Sequence, residues 1–198
     1  MFVDALSRRG AVLAALAAAS APVRLPAHAA ELVFNTAGGI QYADAKVGTG
    51  SALKSGQPAV IDYVMSTSGA RYGAKIDSTI DRQQPYRWTL GDGTTIKGLE
   101  LAVTGGDGVP PMLPGGVRRV IIPSSLAYED LAKPNKNNLQ VQDCSTGRGP
   151  IPPNEPGKSG DMGAGEFQRF KNIYCNANRP YQPDLVLDVK LFGKRTVD

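Results

Sequence analysis

The chain has 198 residues, enough for one domain of ordinary size, and 41% of them are hydrophobic, as in globular proteins. Its formal charge is +4, half of which comes from residues 1–29, where Arg8, Arg9 and Arg24 outweigh Asp4. The only histidine, His28, lies in the same segment, so the rest of the chain excludes Ser-His-Asp and Cys-His catalysis and H-E-x-x-H zinc sites. No Lys/Arg cluster with interleaved aromatics remains there, which argues against nucleic acid as a partner.

Ser7-Arg8-Arg9-Gly10 is followed by an apolar run from Ala11 to Ala19 and then by Pro26-Ala27-His28-Ala29. A twin arginine, a short apolar run and an A-x-A site make residues 1–29 an export signal, cleaved after Ala29. The run is too short, and too soon interrupted by Ser20, Pro22 and Arg24, to form a stable membrane span.

Residues 39–47 and 59–66 alternate like strands, with a turn at Ser55-Gly56-Gln57-Pro58 between them. Residues 86–90 form a third strand, ended by Gly91-Asp92-Gly93. Thr94 or Thr95 is placed to cap a short helix running to about Val103. Ile96, Leu99 and Val103 fall on its sheet-facing side. A Gly/Pro loop covers 105–116, and strands follow at 117–123 and 185–192. Arg118-Arg119 reads as a solvated strand edge, and Trp88 as core. The pattern predicts an α+β fold: a curled five-stranded antiparallel sheet wrapped over one short helix.

Residues 129–183 are rich in Pro, Gly and Asn and longer than ordinary loops. They read as an ordered insertion before the last strand, so that 30–198 is one domain. Within it, E-F-Q-R-F-K-N-I-Y predicts a helical turn or two with Phe167, Phe170 and Tyr174 on one side. Both cysteines, Cys144 and Cys175, fall in the insertion, and in an exported chain they are expected to form a disulfide that pins it. They do not form a C-x-x-C pair, so a thiol oxidoreductase is a weak reading.

The stretch from Tyr63 to Tyr128 sets aromatic and aliphatic side chains around a single acid, Asp77. Its motifs are V-I-D-Y, D-S-T-I-D-R followed by P-Y, I-K-G-L-E, G-G-V-R-R-V-I-I-P and L-A-Y, with G-P-I-P-P and L-V-L-D-V-K-L further on. In these motifs the chain resembles the FKBP-type peptidyl-prolyl isomerases over roughly residues 38–128 and 147–193. G-D-G-V-P-P-M-L-P-G-G, and the Ala-rich signal ending A-H-A-A-E, resemble the thylakoid-lumen members of plants and algae.

The resemblance implies a pocket. Tyr63 and Tyr86 are its walls, Asp77 its acid with Arg82 nearby, and Ile76 the residue before the acid. Thr95 and Ile96 offer backbone groups at the helix start, and Leu99 is the floor. Tyr128 points a hydroxyl at the substrate carbonyl, and Ile151 and Leu187 close the far side. Where the family often has Trp at the floor, and aromatics before the acid and in the last strand, this chain has Leu99, Ile76 and Leu187, which trims aromatic surface. Asp77 and Tyr128 are the implied catalytic pair, and proline-containing protein segments the implied partners. No cofactor or metal is implied, and the domain is expected to be a monomer. The expected function is peptidyl-prolyl cis-trans isomerisation of exported proteins, in the thylakoid lumen or alternatively a bacterial periplasm. The rival is a non-catalytic binding or assembly module of the same fold.

Overall fold

The computed structural model describes residues 32–68, 74–132, 144, 147–154, 162–176 and 181–193. The predicted export signal lies outside them. Strands β1 (Asn35–Ala37) and β2 (Ile40–Lys46) form a hairpin closed by Gly38 and Gly39. Both glycines have positive φ, 56° and 79°, the conformation a two-residue hairpin turn requires. Strand β3 (Pro58–Thr67) has a period-2 burial pattern, with Ala59, Ile61, Tyr63 and Met65 facing the core. Next come β4 (Lys75–Ser78) and the four-residue helix α1 (Thr79–Arg82), whose N-cap Ser78 accepts from the Asp81 amide at 3.3 Å. Strand β5 (Tyr86–Thr89), helix α2 (Lys97–Thr104) and strand β6 (Val117–Ile122) follow. Two 3-10 turns, Ser124–Leu126 and Glu129–Ala132, precede helix α3 (Met162–Tyr174) and strand β7 (Leu185–Leu191).

The strands make one antiparallel sheet in the order β1-β2-β6-β7-β3-β4, with β5 also on β3. Among the described residues there are thus seven strands where five were expected. The additional two, β1 and β4, are three and four residues long. They are too short to carry a readable alternation and form because longer neighbours offer free edges. Strand β3 organises the rest. Its Val64–Ser66 end pairs with β4 and its Pro58–Ile61 end with β5, both on one edge, while β7 runs along the other. This places β4 and β5 end to end, with α1 between them.

Helix α2 packs on the sheet through Gly98, Leu99, Ala102 and Val103. A Cβ at Gly98 would lie 2.2 Å from Ile122 Cγ2 of β6, so the absent side chain sets how closely α2 approaches. The expected Thr94 or Thr95 cap is corrected: the N-cap is Ile96, with no side-chain bond. The two hydroxyls are taken elsewhere, Thr94 Oγ1 donating to Asp92 Oδ1 at 2.7 Å and Thr95 Oγ1 lying 2.6 Å from the Tyr86 hydroxyl.

The reading of Arg118-Arg119 as a solvated edge is also corrected. β6 lies between β2 and β7, inside the sheet. Arg118 is 2% exposed; it donates to both Asp44 oxygens (2.7 and 2.8 Å) and to the carbonyls of Ala102 and Pro110 (each 2.8 Å). Its guanidinium also lies 4.8 Å from the centroid of the Tyr42 ring. Arg119 alternates to the other face, where it pairs with Asp188 in solvent. Trp88 is buried as expected, and its indole N–H donates to Glu100 Oε2 at 2.6 Å. No helix among the described residues is long and apolar enough to cross a membrane.

Candidate functional site

Three neighbouring elements meet at Tyr63. Strand alternation turns Tyr63 inward from β3, and β4 brings Asp77 beside it. Helix α1 then returns Arg82 over the same point. Asp77 is 0% exposed; one carboxylate oxygen accepts from the Tyr63 hydroxyl and the other from Arg82 Nη1. Arg82 Nη2 also reaches the Tyr63 hydroxyl at 3.4 Å. Burial, and then the Asp77 charge, push the Tyr63 phenol well above its ordinary range, so it stays protonated and acts as a donor. The buried carboxylate is therefore held by a cation and a hydroxyl, the condition for keeping it charged inside an apolar wall.

Tyr86 on β5 meets Tyr63 edge-to-face, with ring centroids 6.3 Å apart, and stacks on Trp88 at 5.3 Å. Its hydroxyl is tied to Thr95 at the entry to α2. Ile96 and Leu99 of that helix are fully buried, as is Ile76 next to Asp77. Leu187 lies in the sheet row Asp77–Met65–Leu187, one strand beyond Met65. Ile151 is half-buried against the core. All the residues expected to form the pocket are thus buried or half-buried in one apolar core, with the Tyr63–Asp77–Arg82 cluster as its polar centre.

Two donors assigned to substrate are engaged by the chain itself. The Ile96 amide donates to the Gly149 carbonyl at 2.9 Å, and the Tyr128 hydroxyl donates to the Pro150 carbonyl. Tyr128 is buried, and burial raises its pKa well above that of a free phenol, so it remains a donor. Phe170 and Tyr174 of α3 lie against the Tyr128 ring, at centroid distances of 4.9 and 5.0 Å. Glu166, on the same helix, is 3% exposed and feels the Asp77 charge. Burial, and then the Asp77 charge, raise the pKa of Glu166. Asp77 is therefore not alone, as the sequence suggested. The missed signal was the spacing: Glu166, Phe170 and Tyr174 recur every four residues, which places them on one helix face.

Cys175 follows α3 and is disulfide-bonded to Cys144, with Cα atoms 6.1 Å apart, as expected. Gln182 Nε2 adds a second tie, donating to the carbonyls of Tyr128 (2.9 Å) and Tyr174 (2.7 Å).

The fold is a mostly antiparallel sheet packed against a short helix, with a buried Tyr–Asp–Arg cluster contributed by β3, β4 and α1. The FKBP-type peptidyl-prolyl cis-trans isomerase family model matches residues 50–191, and the chain belongs to that family. It is similar to the peptidyl-prolyl cis-trans isomerase FKBP13, chloroplastic, of Arabidopsis thaliana, at 38% identity over 92 residues, 46% of this chain and 43% of that protein. It is equally similar to the photosynthetic NDH subunit of lumenal location 4, chloroplastic, of the same plant: 38% over 90 residues, 46% of this chain and 40% of that protein. The matches therefore span less than half the length of these curated relatives. The crystal structure of AtFKBP13 aligns with a TM-score of 0.54 at 26% identity, covering 82% of this chain and 98% of that one.

Proposed function

We propose that this chain is a peptidyl-prolyl cis-trans isomerase that acts on proline-containing segments of exported proteins without transferring a proton. The observation that carries this reading is the convergence of Tyr63, Asp77, Arg82, Tyr86, Ile96, Leu99 and Tyr128 on one apolar site. Rotation about an X–Pro amide meets a barrier of about 18–20 kcal/mol because the C–N bond has double-bond character. Uncatalysed exchange takes on the order of tens to hundreds of seconds. The twisted transition state loses amide resonance and needs less solvation at its carbonyl. A dry site with one or two fixed donors therefore binds it better than the planar ground state. Ile76, Ile96, Leu99, Leu187 and the two tyrosine walls supply the dry surface, with Ile151 at its edge. The Tyr128 hydroxyl and the Ile96 amide supply the donors once the site is open. Asp77, held by Arg82, fixes the Tyr63 wall.

The test is the exchange rate of a short peptide with leucine before proline. The protein is expected to accelerate it, and Tyr128→Phe to lower the rate only about fivefold, as for loss of one hydrogen bond worth about 1 kcal/mol. No rate above the uncatalysed control, either from the protein as isolated or after its disulfide is reduced, overturns this function.

The second reading is a non-catalytic binding or assembly module. Two observations favour it: the site's donors are engaged by the chain's own carbonyls, and one equally similar relative carries the name of a photosynthetic NDH subunit.

The proposed location is the thylakoid lumen, reached by the twin-arginine route, with a bacterial periplasm as the alternative. Chloroplastic relatives and a disulfide support it. N-terminal sequencing of the functional protein is expected to read from Ala30; an intact Met1 end would remove the export reading.

A further inference from the structure

The residues 129–183 do more than separate two strands. Their helix α3 lays Phe170 and Tyr174 on the Tyr128 ring and Glu166 on Asp77, while Gly149 and Pro150 take the bonds of the Ile96 amide and the Tyr128 hydroxyl. Every polar group assigned to a bound X–Pro segment is thus covered or satisfied from within. We propose that α3 is an autoinhibitory lid, seated on the pocket in the resting chain, and that a substrate enters only when α3 lifts. The proposal rests on the pocket described above being the substrate site.

The seat is held but not fully satisfied. Apolar contacts of Phe170 and Tyr174, the Gln182 bonds and the Cys144–Cys175 tie favour closure. Against it, the Tyr174 hydroxyl and Gln182 Oε1 are buried with no partner among the described residues. Two buried carboxyl groups, Glu166 and Asp77, also act on each other. Buried polar groups left unpaired, and neighbouring acids, each recover free energy when water reaches them. A helix seated at these costs, and tethered at its C-terminal end by one disulfide, has the makings of a reversible lid. A substrate's apparent affinity then falls in proportion to the fraction of chains that are open.

The experiment compares three forms: the oxidised protein, the same protein reduced with dithiothreitol, and Phe170→Ala. Dithiothreitol converts Cys144–Cys175 to two thiols and itself to the cyclic disulfide. Binding of the Leu-Pro peptide is followed calorimetrically, and exchange is followed by NMR. Reduction and Phe170→Ala are each expected to tighten binding, and to raise kcat/KM, by about tenfold or more. The reduced wild-type arm keeps the test valid where Phe170→Ala fails to fold. If all forms bind and catalyse alike, the lid is overturned and the isomerase reading stands. If the loosened forms bind tighter yet none catalyses, the lid stands and the isomerase reading falls. Absence of both binding and exchange in every form overturns both.

Discussion

Arg82→Met is expected to destabilise the protein by about 3–5 kcal/mol, the usual cost of removing one partner from a buried ion pair. Methionine keeps much of the stem's volume, so the change isolates the charge. It leaves the fully buried Asp77 carboxylate with Glu166 beside it and only the Tyr63 hydroxyl as donor. Asp77 has no exposed surface while Arg82 is in place, so the lost guanidinium is the main partner removed. Urea unfolding with an unchanged m-value would register the loss as a shift in midpoint. A difference below about 1 kcal/mol, the range of exposed pairs, would show that solvent reaches Asp77 and that the site is open in the resting chain.

Arg118→Met is expected to cost about as much, ~3–5 kcal/mol, for a different reason. The arginine sits inside the sheet and satisfies three acceptors at once: Asp44, the Ala102 carbonyl at the end of α2, and the Pro110 carbonyl in the following loop. Its loss leaves both carbonyls without that donor, and each acceptor left unpaired in the interior costs about 1–3 kcal/mol. Asp44, whose side chain is partly exposed, can recover by turning to water. Lysine at this position is expected to rescue less than half of the loss, because a single ammonium cannot bridge a bidentate carboxylate and two carbonyls. Thermal unfolding of Arg118→Met and Arg118→Lys checks both statements; full rescue by lysine would show that charge alone, not the planar fork, holds the loop.

Much of the fold was legible from local pattern. The long strands alternate over enough residues to announce themselves, as Ala59, Ile61, Tyr63 and Met65 do. What was missed was short or depended on a partner. β4 has four residues, and its sequence K-I-D-S acquires a strand conformation only along the edge of β3. The cap of α2 was assigned to a threonine because nothing local reveals that Asp92 and Tyr86 compete for the two hydroxyls. Arg118 was placed in solvent because charge is the best local guess for exposure. Only the strand order, which puts β6 between β2 and β7, says otherwise.

By itself the sequence named the residues expected at the site, through the family resemblance that its motifs carry: Tyr63, Asp77, Arg82, Tyr86, Leu99 and Tyr128. It also supplied the pair Cys144 and Cys175. Only the tertiary structure decided how the site is filled. Whether Tyr128 meets a substrate or Pro150, 22 positions on, and whether Asp77 stands alone or beside Glu166, nearly ninety positions on, depends on where distant parts of the chain come to rest. No periodicity encodes that, because the position of α3 is set by its packing against Tyr128 and by the disulfide, contacts that exist only once the chain has folded.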